Sequence, residues 1–515
     1  MARNYLFDGL LADKLSTPEA RKAKFAALPE DGRHYTYGDV DEVSARFANV
    51  LIGLGVEPGD RVAVQVPKSI EAIMLYLAVV RAGAVFLPLN TGYTPAEIEY
   101  FLDNAKPRIF VCDPQKQKDY LSLTGKLGVS LETMGVWQNA EISAGSLNDA
   151  ALAASSTFET VARSGEDLAA ILYTSGTTGR SKGAMLGHAN LLSNAETLVD
   201  IWKFTEDDVL LHALPIFHTH GLFVATNVAL SAGASLIFLS GFSAETVIAN
   251  LPQATSMMGV PTFYTRLLDD PAFTGDLTRH MRLFVSGSAP LLAETHVQFE
   301  ERTGHRILER YGMTETNMNT SNPYEGERRA GTVGFPLPGV DLRIVDAETG
   351  AALPQGEIGI IEVRGPNVFS GYWKMPEKTK EEFRDDGFFI TGDVGVIDNE
   401  GYVQIVGRSK DLIISGGYNI YPKELELLLD EEEGVLESAV IGVPHADFGE
   451  GVVAVLVAKS GAVLNEDTIL ESIKPKVARF KQPKRIHILD ELPRNTMGKV
   501  QKNVLRDRFA DDFTV

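Results

Sequence analysis

The sequence predicts an α/β protein with a large N-terminal domain of sheets and flanking helices, a β-rich subdomain, and a small α+β C-terminal domain. Three observations lead to this fold class. Helix-like and strand-like segments alternate through the first part of the chain and are joined by short polar stretches, a pattern typical of parallel sheets covered by helices. After Gly331 the pattern changes to short strands separated by turns. Beyond residue 411, helices and strands alternate again over roughly 100 residues, a usual domain size.

The N-terminal elements follow from the spacing of apolar residues, which repeats at helical period in some segments and runs continuously in others. The predicted helices cover residues 39–54, 69–81 and 95–104. The predicted strands cover residues 60–66, 83–88, 108–112, 168–172, 235–239 and 283–285. Because helices and strands take turns along the chain, the strands are expected to lie parallel.

The C-terminal elements are predicted in the same way. Strands are expected at residues 341–345, 359–363, 402–406, 437–443 and 452–457, and helices at residues 422–429 and 469–478. The first of these helices begins at a proline, which the first turn of a helix tolerates. Residues 407–411 are predicted to form a hinge. These elements divide the chain into an N-terminal domain, residues 1–408, and a C-terminal domain, residues 409–515.

Length and composition restrict the class of protein. A chain of 515 residues exceeds one ordinary core, and its 44% hydrophobic and 23% charged residues are typical of a globular protein. The single cysteine, Cys112, excludes a disulfide framework and is expected to be a small buried residue. A net charge of −21 argues against nucleic-acid binding, which depends on neutralised phosphates. No leader and no membrane-length apolar run is evident, so a cytoplasmic protein without a membrane partner is expected.

A loop rich in glycine and hydroxyl residues follows the predicted strand at 168–172. Its sequence, YTSGTTGRSKG over residues 173–183, offers backbone N–H groups, hydroxyls and the ammonium group of Lys182 to a polyphosphate. A Walker-type loop requires Ser or Thr directly after Gly-Lys. Here Ser181 precedes Lys182 and Gly183 follows it. The segment is therefore interpreted as a phosphate loop of another kind, in preference to a flexible linker.

Five further segments place polar side chains where strands end or turn. His218 lies in a His-Thr-His-Gly sequence that lacks the third and fourth ligands of a metal site, which favours the lining of a pocket. Thr314 and Glu315 join a phosphate-binding hydroxyl to a carboxylate that suits Mg²⁺. The other candidates are Ser288 between a strand and a helix, Asp393 after an aromatic strand, and Lys499 after a glycine turn near the chain end.

Together these segments resemble the adenylate-forming superfamily of acyl-CoA synthetases, luciferases and nonribosomal-peptide adenylation domains. The motifs YTSGTTGRSKG, FHTHG, GSAP, YGMTE, TGD, GRSKD, SGGYNIYPKELE and PRNTMGK occur in the order of that family, from about residue 35 to residue 502. The resemblance implies stacked sheets in the large domain and a mobile C-terminal domain. It also implies ATP, Mg²⁺ and coenzyme A as cofactors and a small-molecule carboxylate as the substrate.

The resemblance further implies a role for each matched residue. The β- and γ-phosphates of ATP are bound by the loop residues Thr174, Ser175, Gly176, Thr177, Thr178, Gly179 and Lys182. Thr314 and Glu315 serve the α-phosphate and Mg²⁺, and Lys499 bridges the carboxylate and the α-phosphate. Adenine is bordered by Ser288, Arg310, Tyr311 and Gly312, and ribose is bound by Asp393 and Arg408. Lys410 marks the hinge, and Gly416, Gly417 and Tyr418 line the pantetheine tunnel.

The acid substrate is predicted from a narrower resemblance, to the malonyl-CoA synthetases, through HALPIFHTHGLFVATN, GVPTFYTRLL and ERYGMTETNMNTSNP. The second charge of a dicarboxylate requires a partner, and a guanidinium matches it best. Arg266 is the first candidate and Arg282 the second, with Ser288 and His218 completing the site and Thr219 and Met313 limiting its size. Methylmalonate is a possible further substrate. Two alternatives stay open: a ligase for another short aliphatic or aryl carboxylate, and an adenylation module that loads a carrier protein.

Overall fold

A computed structural model describes residues 3–135, 145–174, 181–415, 418–445, 448–495 and 498–513, and at residues 418 and 419 it describes the backbone only. The chain divides into two compact units. The first unit consists of residues 1–331, 336–341 and 364–387, and the second of residues 332–335, 342–363 and 388–515. Each unit has its own sheets, helices and hydrophobic core.

One sheet of the first unit leads to the predicted phosphate loop. In order across the sheet, its strands in the described chain are Ser130–Thr133, Ile109–Cys112, Arg61–Gln65, Val85–Pro88, Leu168–Thr174 and Lys182–Gly187. The strands are parallel except for the last pair, which is antiparallel. Buried side chains on both faces, such as those of Val64 and Phe110, fit the continuous apolar runs of its strands.

The other large sheet of this unit carries the remaining motifs. Its strands, in order across the sheet, are Asn317–Ser321, Leu308–Met313, Leu283–Ser286, Ser256–Gly259, Val209–His212, Ser235–Phe238, Lys24–Leu28 and Arg33–Thr36. The strands from Leu308–Met313 to Lys24–Leu28 are parallel, so their carboxyl ends lie at one edge. Ligands of open parallel sheets bind at such an edge. A short strand at Phe335–Pro336 contains residues of both units.

Helices cover these sheets, and their ends follow from local sequence. The α-helices of the first unit are Tyr5–Leu15, Pro18–Lys22, Tyr37–Gly53, Ile70–Arg81, Pro95–Ala105, Gln117–Leu127, Ser146–Ala153, His188–Ile201, Asn227–Ala232, Ala244–Asn250, Pro261–Asp269, Gly275–Thr278, Ala293–Thr303 and Pro376–Glu382. Short 3-10 helices at Pro114–Lys116 and Leu251–Gln253 and a π-helix at His220–Thr226 complete the helices of the unit. Thr36 and Thr94 begin two of the α-helices with capping boxes, because each hydroxyl accepts from the backbone three residues on.

The second unit contains two smaller sheets. The first is formed by Asp341–Val345, Gly359–Arg364, Phe389–Ile397 and Val403–Arg408. The second is formed by Tyr418–Ile420, Ile413–Ser415, Gly449–Ala458, Val435–His445 and Arg485–Leu489. Helices Pro422–Asp430, Glu466–Ile473 and Lys502–Arg508 and the 3-10 turns Ser409–Asp411 and Arg479–Lys481 accompany these strands.

The predicted fold class is confirmed, and most predicted elements lie within two residues of the observed ones. The helix predicted over residues 469–478 is wrong at its end, because it finishes at Ile473. Pro475 follows, and its ring has no amide hydrogen for the next helical bond. Cys112 is buried, as predicted. The division at residues 408 and 409 is not tested by the compact units and stays a prediction. Among the described residues, no helix combines the length and apolar character needed to cross a membrane.

Candidate active site

The phosphate loop connects two strands of the first unit. The antiparallel register of Leu168–Thr174 and Lys182–Gly187 places Thr174 opposite Lys182 at the mouth of the hairpin. The two residues therefore frame the loop as the sequence predicted. The other predicted loop residues, Ser175, Gly176, Thr177, Thr178 and Gly179, lie outside the described part of the chain.

Lys182 is nearly buried and has two neighbours that the sequence did not indicate. Its Nζ lies 3.0 Å from Glu382 Oε1 and 4.1 Å from the centre of the Tyr372 ring. The Tyr372 hydroxyl donates to Glu382 Oε2 at 2.6 Å. A carboxylate and an aromatic face are both attractive to an ammonium group. Lys182 is thus held by a tyrosine and a glutamate that follow it by about 200 residues in the sequence.

Glu315 lies beside this group, in the tight turn between strands Leu308–Met313 and Asn317–Ser321. Its Oε1 is 3.1 Å from the Tyr372 hydroxyl and 3.4 Å from Thr174 Oγ1. The carboxylate is buried, and Thr314 precedes it in the same turn. The structure therefore brings together Thr174, Lys182 and Glu315, which the sequence assigned to phosphates and Mg²⁺.

At Gly312 the backbones of the two strands lie very close together. A Cβ atom at this position would lie 1.8 Å from the carbonyl oxygen of Asn317, and the register of the two strands shifts between Tyr311 and Gly312. The YGMTE motif thus requires glycine here for close approach of two backbone segments. The backbone conformation that carries Thr314 and Glu315 depends on it.

A second polar group is formed by residues that follow strands Val209–His212 and Leu283–Ser286 of the same sheet. His220 Nδ1 and Ser288 Oγ are 3.1 Å apart, and Ser288 has a φ of 72°, unusual for a residue with a side chain. His220 belongs to the π-helix, a feature often found at functional sites. The sequence had selected His218, two residues earlier. The hydroxyl of Thr219 is buried and makes no hydrogen bond within the described residues.

Arg310 is a buried cation of the first unit. Its side chain is 4% exposed, and its Nε and Nη2 make no hydrogen bond to any described residue. The guanidinium packs on Gly287, where even a Cβ atom would lie 2.3 Å from it. Burial lowers the pKa of Arg310 to about 9, so the group is still a cation at neutral pH. Burial and the nearby charge of Arg310 together lower the pKa of His220 well below its ordinary value.

Buried donors without a partner are costly in a folded protein. Such donors therefore point to a partner outside the described residues. The sequence assigned Arg310 to the border of adenine. That role stays a prediction, and the buried, unpartnered donors of Arg310 also suit an anionic ligand.

The two arginines first considered for the acid have other surroundings. Arg282 donates to both oxygens of Asp208, at 2.6 and 2.7 Å, and to the carbonyl of Trp202 at 2.8 Å. A bidentate ion pair with Asp208 already uses these donors, which argues against the acid role predicted for Arg282. Arg266 is exposed on the last turn of helix Pro261–Asp269, and its role stays a prediction. Met313 ends its strand, half-buried.

The predicted ribose residues lie together in the second unit. Asp393 and Arg408 face each other across neighbouring antiparallel strands, with Nε of Arg408 2.6 Å from Oδ1 of Asp393. Lys410 is exposed in the short turn Ser409–Asp411 that follows. Asp411 forms an ion pair with Arg506 in the same unit. Gly416 and Gly417 lie outside the described residues, and Tyr418 is described by its backbone alone at the start of a strand.

Lys499 is exposed at the end of a tight turn of the second unit. The backbone N–H of Lys499 donates to Asn495 Oδ1 at 3.0 Å, and its carbonyl accepts from the N–H of Asn495 at 2.9 Å. Gly498 precedes it with a φ of 74°. Arg494 donates to the carbonyl of Gly498 at 2.6 Å and forms an ion pair with Glu437. Hydrogen bonds therefore hold the two ends of the turn together, and the side chain of Lys499 is exposed.

Comparison with known families identifies the class. The family model for AMP-binding enzymes matches residues 15–373, and the model for the AMP-binding enzyme C-terminal domain matches residues 424–499. The first match covers well over half of the chain. The chain therefore belongs to the AMP-binding enzyme family, in agreement with the adenylate-forming resemblance of its motifs.

Individual relatives narrow the comparison. The chain is 57% identical to ATP-bound MatB from Rhodopseudomonas palustris, with all of both chains covered and a TM-score of 0.95. It is 34% identical to a malonate–CoA ligase of Arabidopsis thaliana, covering 93% of this chain and 85% of the relative. It is also 34% identical to a feruloyl-CoA synthase of an Amycolatopsis species, covering 94% and 96%. Relatives at equal identity thus act on different acids.

Proposed function

We propose that the protein is an AMP-forming acid–thiol ligase that joins malonate to coenzyme A. The reaction proceeds through an acyl-adenylate and releases AMP and pyrophosphate. The single observation that carries the choice of acid is the buried guanidinium of Arg310, whose Nε and Nη2 have no partner among the described residues. The similarity to a malonate–CoA ligase of Arabidopsis thaliana over 93% of the chain supports the same assignment.

The unpartnered donors of Arg310 favour a dicarboxylate. Malonate has a carboxylate that reacts and a second that stays charged, and burying the second charge requires a cation with matching hydrogen bonds. Arg310 offers a planar set of donors, and the hydroxyls of Ser288 and Thr219 offer further ones. The tight packing of Arg310 against Gly287 fixes the guanidinium in place. A fixed cation would favour malonate over an acid that ends in a methyl group.

The adenylation step needs charge neutralisation more than it needs a base, because the attacking carboxylate is already ionised at neutral pH. The residues at the mouth of the phosphate loop fit a triphosphate: the ammonium group of Lys182 and the hydroxyl of Thr174 meet there beside the buried carboxylate of Glu315. One protein carboxylate suits Mg²⁺, which keeps water and phosphate oxygens as its other ligands. When bound, Mg²⁺ orients and neutralises the phosphates.

The second unit supplies the other residues of the proposal. Asp393 is proposed to accept from ribose hydroxyls, and its ion pair with Arg408 supports a fixed orientation of that carboxylate. Lys499 stabilises the charge that develops as the carboxylate attacks the α-phosphate. In the second step the thiol of coenzyme A attacks the acyl-adenylate, and Gly416 and Gly417 are proposed to line its tunnel. Lys410 is proposed as the hinge between the two steps.

A ligase for an aryl acid is the second candidate, favoured by the equal identity to a feruloyl-CoA synthase. An aryl acid would leave the donors of Arg310 without a partner, which is costly. The candidate therefore ranks below malonate.

A panel of acids tests the proposal. AMP release is measured with ATP, Mg²⁺ and coenzyme A in the presence of malonate, methylmalonate, propionate, benzoate or ferulate. The proposal expects malonate to give the highest kcat/KM and AMP release to require coenzyme A for turnover. A higher kcat/KM for ferulate or benzoate would replace it with the second candidate. Adenylate formation without transfer to coenzyme A would favour loading of a carrier protein.

A further inference from the structure

Lys182 requires a partner when no nucleotide is bound. Its side chain is 9% exposed, and an ammonium group that is withdrawn from water without a counter-ion is strongly destabilising. The described structure provides the counter-ion: Glu382 Oε1, 3.0 Å from Nζ, at the last residue of helix Pro376–Glu382. The ring of Tyr372 lies below the same ammonium group.

We propose that Glu382 sets the affinity of the site for triphosphates, because its carboxylate occupies the ammonium group of Lys182 until the β- and γ-phosphates of ATP replace it. The inference rests on the proposed function, in which Lys182 binds these phosphates. It states that Glu382 competes with the nucleotide for the ammonium group of Lys182. Glu382 lies outside the motifs that carry the family resemblance.

The surroundings of Glu382 allow the exchange. Besides Lys182, the carboxylate accepts from the Tyr372 hydroxyl at 2.6 Å and pairs with Lys378 at 3.1 Å. When Lys182 turns to a phosphate, Glu382 therefore keeps a hydrogen bond and a cation. Burial raises the pKa of Glu382, but the bonds from Tyr372 and Lys182 outweigh it and hold the pKa below its ordinary value. The group is an anion at neutral pH.

Tyr372 connects this exchange to Glu315. Its hydroxyl has one proton and lies 2.6 Å from Glu382 and 3.1 Å from Glu315, so the shorter bond receives the proton. Two carboxylates thus face the space next to Lys182, and both repel phosphates. Of the two, Glu315 is the proposed Mg²⁺ ligand, so binding of MgATP is expected to stabilise its negative charge. Glu382 is the negative charge whose removal favours ATP.

The test compares ATP with AMP. Glu382→Gln keeps the shape and the contact to Tyr372 but removes the charge. Dissociation constants of MgATP and AMP are measured by calorimetry for the full chain and for this variant. The expected result is that MgATP binds about fivefold more tightly, the size of a partly buried ion-pair term, while AMP, which has no β- or γ-phosphate, is unchanged. Unchanged AMP binding also shows that the variant is folded.

Two controls separate the possible failures. Glu381→Gln removes a neighbouring exposed carboxylate that pairs with Lys378 alone among the described contacts, and it should leave both constants unchanged. Lys182→Ala should weaken MgATP and leave AMP unchanged. If Lys182→Ala leaves MgATP unchanged, the phosphate role of Lys182 fails and the inference fails with it.

If Lys182→Ala behaves as expected, the inference alone is at stake. Unchanged or weaker MgATP binding in Glu382→Gln would overturn it. Weaker binding would assign Glu382 to Mg²⁺ or to the positioning of Lys182. A result in which AMP and MgATP change by the same factor would assign a general structural role to the residue.

Discussion

Three cationic side chains of the protein have very different surroundings. Lys182 is buried and neutralised by Glu382, Arg310 is buried with donors directed to no described residue, and Lys499 is exposed on a fixed turn. A neutralised cation can exchange partners, a buried cation with unpartnered donors suits an anion, and an exposed cation is accessible from solvent. These environments match the roles proposed for phosphate, acid and transition state.

Lys499→Ala tests the transition-state role. Loss of a cation that stabilises charge only as the bond forms should lower the rate of adenylate formation by about 100-fold or more. Thioester formation from supplied malonyl-AMP and coenzyme A should be retained. The two half-reactions are measured separately, by pyrophosphate release and by loss of free thiol. Equal damage to both would remove Lys499 from the first step.

At the scale of elements, the turn between strands Leu308–Met313 and Asn317–Ser321 is the most constrained part of the site. Gly312 allows the strands to approach, and the carbonyl of Glu315 accepts from the backbone N–H of Phe369 at 2.8 Å. Glu315 is thus positioned by the backbone geometry of the turn. Changes in this turn are expected to affect stability and nucleotide binding together.

Gly312→Ala tests the turn. The added methyl would overlap a backbone carbonyl that cannot rotate away, so a loss of about 2–4 kcal/mol of unfolding free energy is expected. Gly125→Ala is the matched control: Gly125 lies inside helix Gln117–Leu127 with open space around it. Alanine there should stabilise by up to about 1 kcal/mol. Thermal unfolding distinguishes the two, and an unchanged midpoint for Gly312→Ala would contradict the packing described.

Some parts of the candidate site could be predicted from the sequence, and others could not. The phosphate hairpin, the Thr314–Glu315 turn and the Asp393–Arg408 pair were predictable, because each is a contiguous motif or a resemblance to one. Tyr372 and Glu382 were not predictable, because they meet Lys182 only through tertiary packing and neither stands in a motif. The burial of His220 and Arg310 was not predictable, because the spacing of residues in a loop or a mixed strand does not determine burial.

At the scale of the whole molecule, buried histidines make stability depend on pH. His188 is fully buried at the start of helix His188–Ile201, and its Nδ1 accepts from the backbone N–H of Leu6. Burial, together with the charge of Arg163, lowers the pKa of His188 to about 4, although Asp167 acts in the opposite direction. Between about pH 4 and pH 6.5 the unfolded chain therefore binds more protons, and stability rises with pH in this window.

His188→Asn tests this dependence. The amide oxygen of asparagine can replace Nδ1 as the acceptor and does not titrate. When the pH falls from about 7.5 to 5, the unfolding free energy of the native protein should decrease by roughly 2 kcal/mol more than that of the variant. Thermal unfolding at the two pH values measures the difference. An equal loss in both proteins would show that His188 is not buried in its neutral form.

The proposed selection of a dicarboxylate by Arg310 can be measured with a single ratio. Propionate has a methyl group in the place of the second carboxylate of malonate, so the ratio of kcat/KM for the two acids isolates that charge. Arg310→Leu is expected to lower this ratio by about 100-fold or more, with MgATP binding retained, whereas Arg266→Ala should leave it unchanged. A ratio that survives Arg310→Leu, or one that collapses in Arg266→Ala instead, would contradict the account.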